Sequence, residues 1–304
     1  MASKTASARA PKTRAAGSAR QRADRDRILV VDIGGSKVKF LCTGRTKPRS
    51  FPSGAHLTPA VLVAEVQKAS RGWRFDCVSI GYPGLVGAAG PQSEPLPLGP
   101  GWVGFDFATA FGKPVRIVND AAMQALGSYE GGRMLFIGLG TGLGSTLIID
   151  EVVVPLELGG LPASRKRALA EILGDDGRRR IGNRRWRREV SRAVGQLATA
   201  FNVDYVVLGG GNAKRLRAVP ANARLGNNLA AFRGGLRIWS GTDVRTQAGQ
   251  PAYQGRHQFT ILGTDRREAA KITNRRPVSR TPRRGTSTDK DRGSRTTGKS
   301  VAGA

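Results

Sequence analysis

The chain has 304 residues, with Lys and Arg numbering 50 against 22 Asp and Glu for a formal net charge of +28, two cysteines, and 39% apolar residues before glycine is counted. The apolar share suffices for a core and argues against a fully disordered chain, Cys42 and Cys77 cannot form a disulfide framework or a clustered zinc site, and no apolar run approaches the roughly 18 residues that crossing a bilayer needs. The charge predicts attraction to polyanions, whether nucleic acid, polyphosphate or an anionic surface.

Residues 1–27 carry 8 basic and 2 acidic side chains and lack hydrophobic periodicity, so a disordered basic tail is expected there. The same acid-poor, Arg-bearing composition also matches an organellar transit segment. From Ile28 the pattern changes to Ile28-Leu29-Val30-Val31-Asp32, then Ile33-Gly34-Gly35-Ser36, then Lys37 to Leu41, which reads as strand, glycine turn, strand. Helical spacing over Pro59 to Ser70 precedes a buried strand from Phe75 to Ile80 and a turn over Gly81 to Val86. A loop over Pro95 to Gly101, a short strand at Val115 to Val118 and a helix from Ala121 to Tyr129 follow. The opening pattern then returns as Met134 to Ile137, Gly138 to Gly144 and Ser145 to Ile149, an offset of 106 residues from Gly34 to Gly140 that predicts two related lobes. Trp186 to Phe201 has helical spacing, and Tyr205 to Leu208 is a strand running into Gly209-Gly210-Gly211 at a strand-to-helix junction. Residues 241–304, with 14 basic and 5 acidic side chains and no periodicity, are expected to form a second disordered basic tail. Between Arg165 and Arg192, 11 basic residues face 4 acidic ones.

A glycine turn that presents successive backbone N–H groups forms a concave anion site, and glycine admits both positive φ and close approach of a phosphate. One such turn at Gly34-Gly35 is equally a plain hairpin. Two on duplicated lobes, with Asp32 before the first and Thr141 inside the second, suit phosphates held in a cleft. Neither Gly-x-x-x-x-Gly-Lys-Ser/Thr nor Gly-x-Gly-x-x-Gly is satisfied, which argues against the common nucleotide folds. Asn119-Asp120 opens the helix from Ala121. Both types are favoured helix caps, and Asp120 at a strand end facing a cleft is also placed to take a proton from a hydroxyl attacking phosphorus. The Arg165–Arg192 patch reads either as a solvated helical face with Trp186 and Val190 turned inward or as a track for a phosphate chain.

In order along residues 28–240, Asp32 to Ser36, Gly81 to Val86, Gly101-Trp102, Gly112 to Val115 with Asn119-Asp120, Gly140 to Gly144, and Gly209 to Gly211 resemble the ROK sugar kinases, and most nearly their polyphosphate glucokinase branch. The resemblance implies an actin-like fold of two ribonuclease-H-like α/β lobes, 28–120 and 121–240. It implies transfer of a phosphoryl group from polyphosphate or ATP, with Mg²⁺, to a hexose such as glucose. Carried over by position, Asp120 is the general base, and Asn119, Glu157 and Gly84 contact the sugar. Asp32, Gly34, Gly35, Ser36, Gly140, Thr141, Gly142, Gly210 and Gly211 hold the phosphates. Where the family has Glu-x-Gly-His, this chain has Glu157-Leu158-Gly159-Gly160, so an imidazole is missing from the expected sugar pocket. The cysteine cluster that binds zinc in many members is also absent, so no structural zinc is expected. A homodimer, a cytoplasmic location and no membrane partner are the accompanying expectations. The rival reading is a catalytically impaired polyanion or nucleic-acid binder acting through its tails and patch; the absence of a helical pattern before residue 28 disfavours it.

Overall fold

The computed structural model describes residues 27–95, 98–227, 229–239 and 260–261. Its first sheet is built from β1 (Ile28–Ile33), β2 (Lys37–Cys42), β3 (Arg49–Pro52), β4 (Cys77–Tyr82) and β7 (Val115–Asn119), in the order β3-β2-β1-β4-β7. β1 to β3 form an antiparallel meander, and β1, β4 and β7 run parallel. β5 (Val86–Gly87) and β6 (Gly90–Pro91) form a small hairpin above it.

The second sheet repeats this plan. β8 (Arg133–Leu139), β9 (Leu143–Ile149) and β10 (Val152–Leu156) form the meander, while β13 (Tyr205–Gly209) and β14 (Ala223–Leu225) continue in parallel from β8. β10-β9-β8-β13-β14 thus mirrors β3-β2-β1-β4-β7, and the repeat visible in the glycine turns is a repeat of whole topology. The hairpin β11 (Pro162–Ser164) and β12 (Arg167–Ala168) follows β10 in the chain. A last strand, β15 (Thr260–Ile261), pairs in parallel with Val152 and Val153 of β10. These two residues fall within the expected C-terminal tail. The remainder of both expected tails lies outside the described residues.

Helices fill three layers. α1 (Pro59–Ala69), capped by Thr58 with Pro59 at its first position, and α2 (Phe107–Phe111) cover the outer face of the first sheet. α3 (Asp120–Ser128) and α6 (Ala230–Arg237) lie between the two sheets. α4 (Leu169–Leu173) and α5 (Asp175–Ala200) cover the outer face of the second. Because both faces of each sheet are covered, β1 is apolar without alternation yet divides its side chains by parity: Ile28 and Val30 enter the central layer, Leu29, Val31 and Ile33 the outer one. α5 buries Trp186, Val190, Val194 and Leu197, begins eleven residues earlier than the spacing predicts, and is interrupted at Gly182, whose φ of 76° leaves the helical region. The expected helix after Gly209 to Gly211 is instead a short 3₁₀ turn at Ala213–Arg215. No helix among the described residues is long and apolar enough to cross a membrane.

Candidate active site

Three parallel strands end side by side. The register places Asp32 of β1 beside Gly81 of β4, and Tyr82 beside Asn119 of β7, so the carboxyl ends of β1, β4 and β7 form one ledge. Such ledges are where open parallel sheets bind ligands, because the chain departs there into loops and helix N-termini. α3 starts on this ledge. A side chain at Gly81 would strike the Met123 thioether, and one at Gly144 of β9 would come within 2.8 Å of Ala121 Cβ. The first turn of α3 is therefore gripped between the ends of the two sheets, and Asp120 sits where they meet.

Asn119 caps α3: its Oδ1 accepts from the Ala121 and Ala122 amides at 3.0 and 3.2 Å, and its Nδ2 donates to the Gly84 carbonyl at 3.2 Å. The capping role holds, and one Nδ2 hydrogen is left over for a ligand. Asp120 Oδ1 accepts from the Ala121 amide at 2.7 Å. Asp120 and Asp32 keep a solvent-facing edge but are otherwise enclosed by protein, and that desolvation raises both carboxyls. Burial pushes Asp120 up to about 7, with the negative fields of Asp32 and Glu157 adding to the rise and the Ala121 amide opposing it. Burial pushes Asp32 up to about 6 against the pull of Lys39. Glu157 comes from the second lobe, just after β10, and is likewise raised by desolvation. Three carboxylates from two lobes thus share one recess, although sequence separates them by up to 125 residues.

The sequence reading missed what holds Glu157 in place. Ser145 Oγ donates to the Leu156 carbonyl at 2.9 Å and accepts from the Leu158 amide at 3.1 Å, bracketing Glu157 from both sides. A side chain at Gly160, where the resembled family has histidine, would meet nothing within 4 Å. The position opens on free space.

The two glycine turns differ. Gly34, Gly35 and Ser36 make the β1–β2 turn, tied by Gly34 N to the Lys37 carbonyl and by Ser53, whose hydroxyl donates to the Gly34 carbonyl at 2.7 Å. Gly140, Thr141 and Gly142 make the β8–β9 turn, and around it gather the Asp175 amide, bonded to the Gly140 carbonyl at 3.0 Å, and Asn212, whose Nδ2 reaches the same oxygen at 3.2 Å. None of Gly34, Gly35, Gly140 and Gly142 uses positive φ, so of the two reasons for glycine there only the close approach of a ligand is left. At Gly140 and Gly142 a side chain would enter empty space, so what glycine supplies there is an unobstructed backbone. Gly210 does require its type: its φ is 79°, and a Cβ would strike the Leu139 backbone at 2.5 Å. Gly211 adjoins it, and buried Asn212, which the sequence reading passed over although it follows the glycine run directly, fastens this loop to the Gly140 turn.

The basic stretch begins at this same turn. A side chain at Gly174, the N-terminal flank of α5, would strike the Thr141 carbonyl at 2.6 Å. Asp175 in the first turn of α5 is held low by hydrogen bonds from Arg178 and Asn212 and by its ion pairs with Arg178 and Arg179. Arg184, Arg185 and Arg188 are exposed further along the helix. Among the described residues no group of three or more His, Cys, Asp and Glu forms a protein-only metal cage. A cation completed by phosphate oxygens and water needs only one or two carboxylates. Asp32 and Asp120, each lifted by enclosure in the same recess, fit that requirement.

No protein-family profile matches the chain. In sequence it is 26% identical over 235 residues to polyphosphate glucokinase of Mycobacterium leprae, spanning 69% of this chain and 71% of that one. In structure it is similar to the inorganic polyphosphate/ATP-glucomannokinase of Arthrobacter sp. strain KM, with a TM-score of 0.59 at 23% identity over 69% of this chain and 96% of that one. The ROK family glucokinase of Streptomyces griseus, solved with glucose and AMPPNP, follows with a TM-score of 0.56 at 18% identity over 69% and 97%. The curated relatives are sugar kinases, and the fold neighbours include ROK family sugar kinases and, with a TM-score of 0.53 at 15% identity, a ROK family transcriptional regulator. The expected two-sheet α/β architecture of that family is the one observed.

Proposed function

We propose that the chain is a ROK-type sugar kinase that moves a phosphoryl group from polyphosphate or ATP to a hexose hydroxyl, with glucose to glucose 6-phosphate as the reference reaction. One observation carries the reading: Asp120, at the junction of the two sheets, has a carboxyl raised to about 7, within reach of the operating range of a general base. In the proposed step the sugar hydroxyl oxygen bonds to the terminal phosphorus, the bond from that phosphorus to the bridging oxygen breaks, and the hydroxyl proton passes to Asp120. Asn119, through its spare Nδ2 hydrogen, the Gly84 loop, and Glu157, held by Ser145, orient the sugar. The exposed backbones of Gly34 to Ser36 and Gly140 to Gly142, backed by Gly210 and Gly211, hold the donor phosphates. Asp32 would hold a divalent cation, which supplies charge neutralisation to the phosphate chain.

The donor side favours a long phosphate chain. α5 starts against the Gly140 turn with Asp175 and Asp176 and carries exposed Arg184, Arg185 and Arg188 further along, so a long polyanion leaving the turn along the helix would meet them. A matrix of donors (long-chain polyphosphate, ATP, GTP) against sugars (glucose, mannose, amino sugars) with Mg²⁺ tests the proposal. Formation of a sugar 6-phosphate from at least one pair is expected. No product from any pair, with folded protein, overturns it.

A further inference from the structure

At the end of the first sheet opposite the carboxylates, a cavity of about 440 Å³ lies among Arg27, Cys42, Thr43, Arg45, Trp73 and Arg74. β1 and β4 begin there and β2 ends there, so most of the length of β1, roughly 15 Å at 3.3 Å per residue, separates it from Asp32. Its volume falls in the range of small-molecule pockets. Three arginines border it, and no acidic residue lines it.

Arg133 pairs with Asp204 and Arg192 with Glu189, but among the described residues most arginines of this strongly cationic chain have no carboxylate partner. Among the described residues Arg27, Arg45 and Arg74 form no such ion pair; the nearest acid, Asp76, is engaged by the Arg27 backbone amide at 2.9 Å. Burial pushes the Cys42 thiol up, and the fields of Arg27 and Arg45 pull it back while that of Asp76 adds to the rise. The ring of Trp73 is already occupied. The guanidinium of Arg45 stands 5.5 Å and that of Arg49 4.7 Å from its centroid, and Phe40 packs against it at 5.7 Å. The ring is thus already in contact with two cations and a phenyl group, whereas an anion meets a lining with three arginines and no carboxylate, and guanidinium suits phosphate.

We propose that this cavity is a second anion site, remote from the reaction centre, that takes a small phosphate ester or a short phosphate chain without an aromatic base. The inference stands apart from the catalytic reading, since none of its residues touches the cleft. Trp73 is also its reporter: Trp102, Trp186 and Trp239 are 0 to 1% exposed, while Trp73 is only partly buried.

The full-length protein is titrated at constant ionic strength with inorganic triphosphate, with glucose 6-phosphate and with sulfate, following tryptophan emission. A saturable change is expected with one or both phosphates. Triphosphate alone identifies a chain, glucose 6-phosphate alone an ester, and both their shared phosphoryl group. The apparent dissociation constant should rise at least tenfold in the Arg45→Gln/Arg74→Gln double variant. As a check that needs no variant, the effective phosphate should slow modification of Arg45 and Arg74 by phenylglyoxal in the native protein. A response that sulfate reproduces, that survives in the double variant, or that comes without arginine protection overturns the proposal, as does no response at all.

Discussion

Asp120 and Asp32 add to this protein's stability a contribution that runs against the usual acid-denaturation trend. In the unfolded chain each carboxyl titrates near 3.8; in the fold they titrate near 7 and 6. Between those values the folded state retains protons the unfolded state has released, so the stability these two groups contribute is fully present below pH 3.8 and is lost as pH rises through 6 and 7. Asp120→Asn should therefore melt several degrees higher than the parent at pH 8 and no higher at pH 5, read by differential scanning calorimetry. The same substitution should lower kcat by about 10² to 10⁴ while long-chain polyphosphate still binds, because a lost general base does not remove the arginines. In the parent, kcat/KM should climb from pH 6 to pH 8 as the base ionises, and that limb should vanish in the variant. Ser145 offers a separate test. Ser145→Ala leaves the part-buried Leu156 carbonyl and the buried Leu158 amide short of a partner, a cost of about 1 to 3 kcal/mol, and should raise KM for the sugar more than KM for the donor.

At the scale of elements, glycines divided what could be read from what could not. Asn119 capping α3, Thr58 with Pro59 opening α1, and the alternation of β2 are local signals, and each element appears within a few residues of its expected place. α6 gave no such signal. Its Gly234 and Gly235 read as helix breakers, and only the packing explains them: a Cβ at Gly234 would lie 1.7 Å from the Met123 carbonyl, and one at Gly127 would lie 1.8 Å from that of Ala230. α3 and α6 cross backbone to backbone between the sheets. Gly234→Ala should destabilise the fold by about 1 to 3 kcal/mol or more through overpacking, measured by urea unfolding. Gly182→Ala meets no neighbour, so its expected penalty, about 1 kcal/mol, is that of positive φ alone.

For the whole molecule, the two sheets with one topology set the recess, and the charge of +28 sets what it attracts. If α5 is the donor track, Arg184→Gln/Arg185→Gln/Arg188→Gln should raise KM for long-chain polyphosphate about tenfold and flatten its salt dependence, leaving KM for ATP within twofold. An unchanged polyphosphate KM would make that face a solvated surface only. The last described helix also ties the halves together. Trp239 Nε1 donates to Ser79 Oγ at 2.8 Å, Ser79 donates to the Gly235 carbonyl at 2.6 Å, and Arg116 lies over the Trp239 ring at 4.4 Å. Nothing in the local pattern around Trp239 announces these partners, which stand 123 to 160 positions earlier.

Periodicity, capping residues and the recurrence of a glycine turn are short-range properties, and from them the residues alone determined an α/β chain with two related halves and a candidate carboxylate at a strand end. The enclosure that lifts Asp120, the arrival of Glu157 beside it, the bracing by Ser145 and the near contact of α3 with α6 were decided only by the tertiary structure. Desolvation and close packing arise between segments far apart in the chain, and no local pattern encodes what will stand on the other side.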